Sequence, residues 1–214
     1  MLLTVADWPA DRRASMLARW AEMAKLYPLT LNIVTADIEE ATGHVDSRLL
    51  LLARALEGLH RRRYPVSEAA RAKHAARVTS LRALVADRRL WQWAHGHLRR
   101  AYEPSLETRV KDLLDATGGS LHDLIPDHAY CRAFADYRNA YVHEDPERDE
   151  PPENVKTLLL VMQTRFLLIA WLLVEMGFAT HEVKGFLERN AEYQHFSADF
   201  ARDSDSASSR GGGA

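Results

Sequence analysis

A chain of 214 residues is long enough to bury one full hydrophobic core, and its Leu- and Ala-rich, β-branch-poor composition predicts an all-α protein. The single cysteine, Cys131, excludes an internal disulfide framework and a cysteine-rich zinc site, and it fits a reducing cytoplasm. The formal net charge of −2 conceals a split: residues 45–111 carry 15 Lys/Arg against 6 Asp/Glu, and residues 112–214 carry 9 against 18. Such a basic block suits either a polyanion such as RNA or the acidic half of the chain itself.

Residues 9–26 read as a helix opened by Pro9, with Leu17, Trp20, Met23 and Ala24 roughly on one side and Pro28 as its stop. Residues 29–42 carry no decisive period before Gly43. A strong amphipathic helix is predicted over 46–62, where Leu49, Leu52, Leu56 and Leu59 recur at helical spacing. Ser67 and Glu68 start the next helix. Helical pattern fills 67–85 and 88–101 and breaks near Ala86 and Asp87. Pro104 and Ser105 open a helix that ends before Gly118-Gly119. Pro126 and Asp127 begin another, which Pro146 stops because a residue before proline is disfavoured in the α region.

The segment 144–153 holds six acidic residues and three prolines. A long apolar helix is predicted over 154–176 with Gly177 at its end. It resembles a membrane span, yet it is shorter than the ~20 apolar residues a crossing needs and has Gln163, Thr164 and Arg165 at its centre. The pattern therefore predicts a buried core helix and no membrane association. A last helix covers 180–193, and the Ser/Gly-rich residues from 194 to 214 are expected to be disordered.

The chemistry concentrates in Arg138-Asn139-Ala140-Tyr141-Val142-His143: a fixed cation, a side-chain amide and a titratable imidazole near one helix end. On that helix Tyr130, Phe134, Tyr137 and Tyr141 form a stripe that reads as core. Arg132, Asp136, Asn139 and His143 lie on the opposite side. Asn139 sits one turn below His143 and can orient its ring. Arg138 lies about 140° around the axis from His143, so one straight helix does not aim both at one point. A shared site needs a long arginine reach, an unwound helix end or a second protomer. Proximity alone says little, because Arg and His also stand six residues apart at Arg54/His60, Arg89/His95 and Arg189/His195 and seven apart at Arg88/His95. His95 and His97 fall about 200° apart on a helix, with no third ligand nearby, so no metal site is expected there.

In order along the chain, the Leu-Glu helix of residues 51–61 and the Arg138-Asn139-x-x-x-His143 segment resemble the two signature helices of the ApeA-like branch of the HEPN superfamily. The resemblance spans roughly residues 46–190. It implies a helical bundle that dimerises with the motif helices face to face. It also implies a metal-independent endoribonuclease, without cofactor, of the kind used in anti-phage defence. On that likeness Arg138 would bind the scissile phosphate, His143 would act as general acid or base, and Asn139 would orient either of them. The products implied are a 2′,3′-cyclic phosphate and a 5′-OH. Glu57 matches the Leu-Glu position, and it can equally pair with Arg54 and Arg61 on its own helix.

The basic run Arg61-Arg62-Arg63 is the expected RNA-binding element. Three parts are predicted: a helical extension or linker over 1–44, a HEPN-like domain over 45–193 and a tail over 194–214. Relatives of this kind often carry a larger N-terminal domain. With about 45 residues ahead of the Leu-Glu helix, the chain reads as a compact version or a C-terminal piece, with a sensor domain or partner protein outside it. A non-catalytic HEPN module for dimerisation or partner binding is the alternative reading.

Overall fold

The computed structural model describes residues 8–39, 44–143 and 154–210, with backbone alone at 143, 154–155 and 201–210. The described residues form ten helices and no strand: α1 Ala10–Leu26, α2 Pro28–Glu39, α3 Val45–Arg63, α4 Glu68–Leu84, α5 Arg88–Leu98, α6 Leu106–Ala116, α7 Ala129–His143, α8 Asn154–Glu175, α9 Thr180–Glu188 and α10 Ala191–Arg210. The protein is all-α, as its composition predicts. The undecided stretch 29–42 supplies α2, whose Thr30, Leu31 and Val34 face inward.

Helices α3 and α8 form the central pair. Leu49, Leu52, Leu56 and Leu59 of α3 are fully buried, and Val161, Phe166, Leu167, Ala170 and Trp171 of α8 are buried in the same core. Each such leucine contributes roughly 1.5–3 kcal/mol over an exposed one. α2 covers both members of the pair, α6 and α7 pack on the other flank, and α9 and α10 close against α8. Met16, Met23 and Tyr27 join the same core, so the segment before α3 is packed onto the bundle.

Local signals set the boundaries. Ser67, Asp87 and Ser105 cap α4, α5 and α6 by accepting the backbone N–H three residues on. α8 ends in a Schellman turn: Gly177 has φ +92°, Phe178 N–H reaches the Leu173 carbonyl, and Gly177 N–H reaches that of Val174. Helices α4 and α5 bury no residue; they pair with each other as a hairpin beside the core.

The stretch Lys156–Glu175 is apolar and long enough to cross a membrane, yet most of it is buried inside the bundle. Arg165 at its centre is the reason it belongs there. Its Nη1 donates to Glu192 at 2.8 Å, its Nε lies 3.4 Å from Asp37, and Asp37 also accepts from Arg48 at 2.8 Å. One buried cluster thus ties α2, α3, α8 and α10 together. Breaking a buried pair from one side leaves the partner charge uncompensated. Arg165→Ala is therefore expected to lower stability by about 3 kcal/mol, read as a shift of the urea midpoint at constant m-value.

A second buried polar group, His60, is 1% exposed, with Nε2 2.9 Å from Asp112 and no Nδ1 partner among the described residues. Burial is the chief cause that holds its pKa below the ordinary 6.5; Asp112 works against that shift and Arg109 adds to it. Unfolding therefore takes up a proton at pH values between the folded pKa and 6.5. Its contribution to stability is complete above that window and is lost as pH falls through it. His60→Gln is expected to flatten the acid-side decline in unfolding free energy, measured by denaturant titration at a series of pH values from neutral downwards.

Candidate functional site

The leucine stripe of α3 decides where its polar side chains go. With about 100° per residue, Glu57 leaves the helix roughly a right angle away from the buried stripe, and Arg61 follows one turn later on the same side. Glu57 therefore stands at the edge of the core, where α7 passes.

Helix α7 is anchored by the aromatic stripe its sequence predicts. Tyr130, Phe134 and Tyr137 are buried. Tyr130 shares a 2.7 Å hydrogen bond with Thr164 of α8. The Tyr137 hydroxyl donates to Asp46 at the start of α3 and accepts from Thr157 of α8 at 3.1 Å. Burial and then the Asp46 bond push the Tyr137 hydroxyl up to about 12, which keeps it a donor at neutral pH. The stripe stops short of its fourth member: Tyr141 is 45% exposed, and Val142 beside it is exposed too.

This anchoring brings Arg138 onto Glu57. Arg138 Nη2 donates to Glu57 Oε1 at 2.9 Å across 81 residues of sequence, and its Nη1 donates to Asn139 Oδ1 at 3.2 Å. The Arg138 side chain is 29% exposed, and that of Glu57 20%. Asn139 thus contacts Arg138, the residue before it. His143 closes α7, and the helix keeps its backbone geometry up to that residue. The acidic segment 144–153 lies outside the described residues.

Glu57 also forms an ion pair with Arg61 at 3.6 Å, and Arg61 reaches Glu103 at 3.3 Å. Glu103 in turn holds Arg109 at 2.9 Å and Arg100 at 3.9 Å. A chain of alternating charges therefore runs from Arg138 to the connection between α5 and α6. Of the run Arg61-Arg62-Arg63, only Arg61 joins it. Arg62 donates to the Leu26 carbonyl at the end of α1, and Arg63 pairs with Glu175 of α8 at 2.9 Å while lying over Tyr64. Three adjacent arginines diverge because each successive side chain turns by about 100°.

The Glu57–Arg138 pair was not among the pairings read from sequence. The local partner at i+4 was visible, whereas a partner 81 positions away depends on how α3 and α7 cross. His95 and His97 lie against Trp91 and Trp93 respectively, each with its own indole. Among the described residues no group of three His, Cys, Asp or Glu is arranged to hold a metal ion. Cys131 is buried, and burial pushes its thiol up to about 11.

No curated protein and no solved structure matches the chain. A family model does. The Apea-like HEPN model covers residues 50–182, from the first turns of α3 to the start of α9, and so takes in Glu57, the α4–α5 hairpin and the whole of α7. By that match over more than half its length, the chain belongs to the ApeA-like HEPN family.

Proposed function

We propose that the protein is a metal-independent endoribonuclease of HEPN type, acting in the cytoplasm as a homodimer in anti-phage defence. The observation that carries this reading is the held cation: Arg138 is fixed by Glu57 and Asn139 and partly open to solvent, five residues before His143. A positioned guanidinium stabilises charge as it develops on a phosphoryl group. In the reaction His143 takes the proton of the 2′-OH, and the oxygen attacks phosphorus. The P–O5′ bond breaks, and a proton is delivered to the leaving oxygen, either by His143 of the same protomer or by the second copy of that residue. A 2′,3′-cyclic phosphate and a 5′-OH result, with no metal in any step.

Two features support a composite site. Because α7 stays helical to His143, Arg138 and His143 leave it about 140° apart, and Arg138 is already turned towards α3. The exposed Tyr141 and Val142 at the same helix end supply apolar surface for a two-fold contact. The same surface also suits a non-catalytic module that only dimerises or binds a partner protein.

Cleavage of total cellular RNA in EDTA separates the two. Arg138→Ala is expected to reduce cleavage by about 10²–10³-fold, and His143→Ala by about 10²–10⁴-fold, with unfolding midpoints close to wild type. Equal activity in both variants removes these residues from the chemistry, and a stable dimer inert towards every RNA leaves the partner-binding module. Mixing the two inactive variants tests the composite site. Half the dimers are then heterodimers with one intact site of two, so about a quarter of the activity returns; a site within one protomer regains none.

A further inference from the structure

Where α3 ends and the α4–α5 hairpin is rooted, a cleft of about 300 Å³ opens on the chain of charges that starts at Arg138. Its walls carry Arg61, Arg71, Arg100 and Arg109 and the rings of Tyr64 and Tyr102. The single carboxylate lining the cleft is that of Glu103, which Arg61, Arg100 and Arg109 share at 3.3, 3.9 and 2.9 Å. Arg71 lies over the Tyr102 ring, 6.0 Å from its centroid, and His74 packs against the same ring. Arg109 is 4% exposed and is further fixed by the Pro104 carbonyl at 3.1 Å, so the floor of the cleft is rigid and cationic. Even with Glu57 beside Arg61, four lining cations against one lining carboxylate leave an excess of positive charge that a bound anion would neutralise. Aromatic faces beside that excess select an anion with a flat, stackable part.

We propose that this arginine–tyrosine cleft is a subsite for a nucleotide of single-stranded RNA flanking the scissile phosphate. Arg71 and Arg100 take its phosphate, and Tyr102 takes its base. The assignment rests on the ribonuclease reading for the word scissile, and on the cleft's own chemistry for the nucleotide. Its volume, at the lower end of small-ligand pockets, suits one nucleotide unit. Arg61 links the two sites directly, since its guanidinium touches Glu57, the partner of Arg138, on one side and Glu103 of the cleft on the other. A duplex would present paired bases that cannot reach Tyr102, so the cleft selects unpaired RNA.

The test uses the full chain carrying His143→Ala, so that RNA survives, and a fluorescent single-stranded oligoribonucleotide read by anisotropy. Arg71→Ala is expected to weaken binding by about tenfold and to lower the slope of log affinity against log salt by about 0.7. Tyr102→Ala is expected to weaken it by roughly tenfold, and Tyr102→Phe to restore it, because stacking needs the ring and not the hydroxyl. With His143 present, the loss for Arg71→Ala falls on KM rather than on kcat. Unchanged binding in Arg71→Ala and Tyr102→Ala overturns the subsite, as does equal affinity for duplex RNA, or an acidic peptide that displaces the oligonucleotide at lower concentration than unlabelled RNA. If the variants lose binding but the wild-type protein cleaves no RNA, the cleavage reading fails while the nucleotide cleft stands. If cleavage proceeds and the variants are indifferent, the cleft alone fails.

Discussion

The leucine stripe of α3 is the constraint from which the candidate site follows. Four leucines at zero exposure commit one side of α3 to the core, and a helix that is buried on one side has only the remaining arc for its charges. Glu57 and Arg61 occupy that arc one turn apart. Had α3 rotated by a single residue, a leucine would leave the core and Glu57 would turn away from α7, so the apolar packing and the Glu57–Arg138 pair enforce one another. Tyr137 adds a second lock, because its hydroxyl joins α7 to the start of α3 and to Thr157 of α8. Arg138 is thus positioned by core packing at some distance from its own charge.

The economy of carboxylates explains why the basic block remains basic where it matters. Residues 45–111 hold six acids against fifteen bases, and two of those acids, Glu57 and Glu103, sit among Arg61, Arg100, Arg109 and Arg138. The other strongly buried cation, Arg165, has its own acids in Asp37 and Glu192. Structural arginines are therefore matched close to one for one, while the arginines around Glu57 and Glu103 outnumber their acids. That local surplus is not visible in a net charge of −2. It appears only when the ion pairs are laid out in space.

Much of the helical framework was legible because its signals are local. The caps at Ser67, Asp87 and Ser105, the glycine after α8 and the period-3.6 leucines each depend on neighbours within a turn or two. Arg165 at the middle of an apolar run also pointed correctly to a core helix, since a buried arginine demands buried acids. What stayed hidden was set by crossing geometry. The period of α2 was unclear because its buried face includes the polar Thr30 beside Leu31 and Val34, while the apolar Leu29 and Ile38 are exposed. Tyr141 continues the spacing of a core stripe, yet is exposed at the end of α7. Arg61, Arg62 and Arg63 look like one basic feature in sequence and reach three different parts of the bundle. The motif Arg138 to His143 was readable through its family likeness, whereas its tie to Glu57 was not, because nothing in spacing links positions 81 residues apart.

On the ribonuclease reading, the Glu57–Arg138 pair has a mechanistic consequence of its own. A guanidinium already satisfied by a carboxylate gains little from a singly charged phosphodiester, which must compete with Glu57 for the same donors. The pentacoordinate species carries close to two charges on its equatorial oxygens and competes far better. The pair therefore biases Arg138 towards the transition state over the bound substrate, and only interactions that strengthen at that point accelerate the chemical step. Arg61 completes the arrangement. It touches Glu57 at 3.6 Å, so the carboxylate that gives up Arg138 keeps a cation beside it and is not left as an unpaired charge facing phosphate. Initial binding must then come from elsewhere on the surface, and the arginine cleft at the other end of the same chain of charges is placed to supply it.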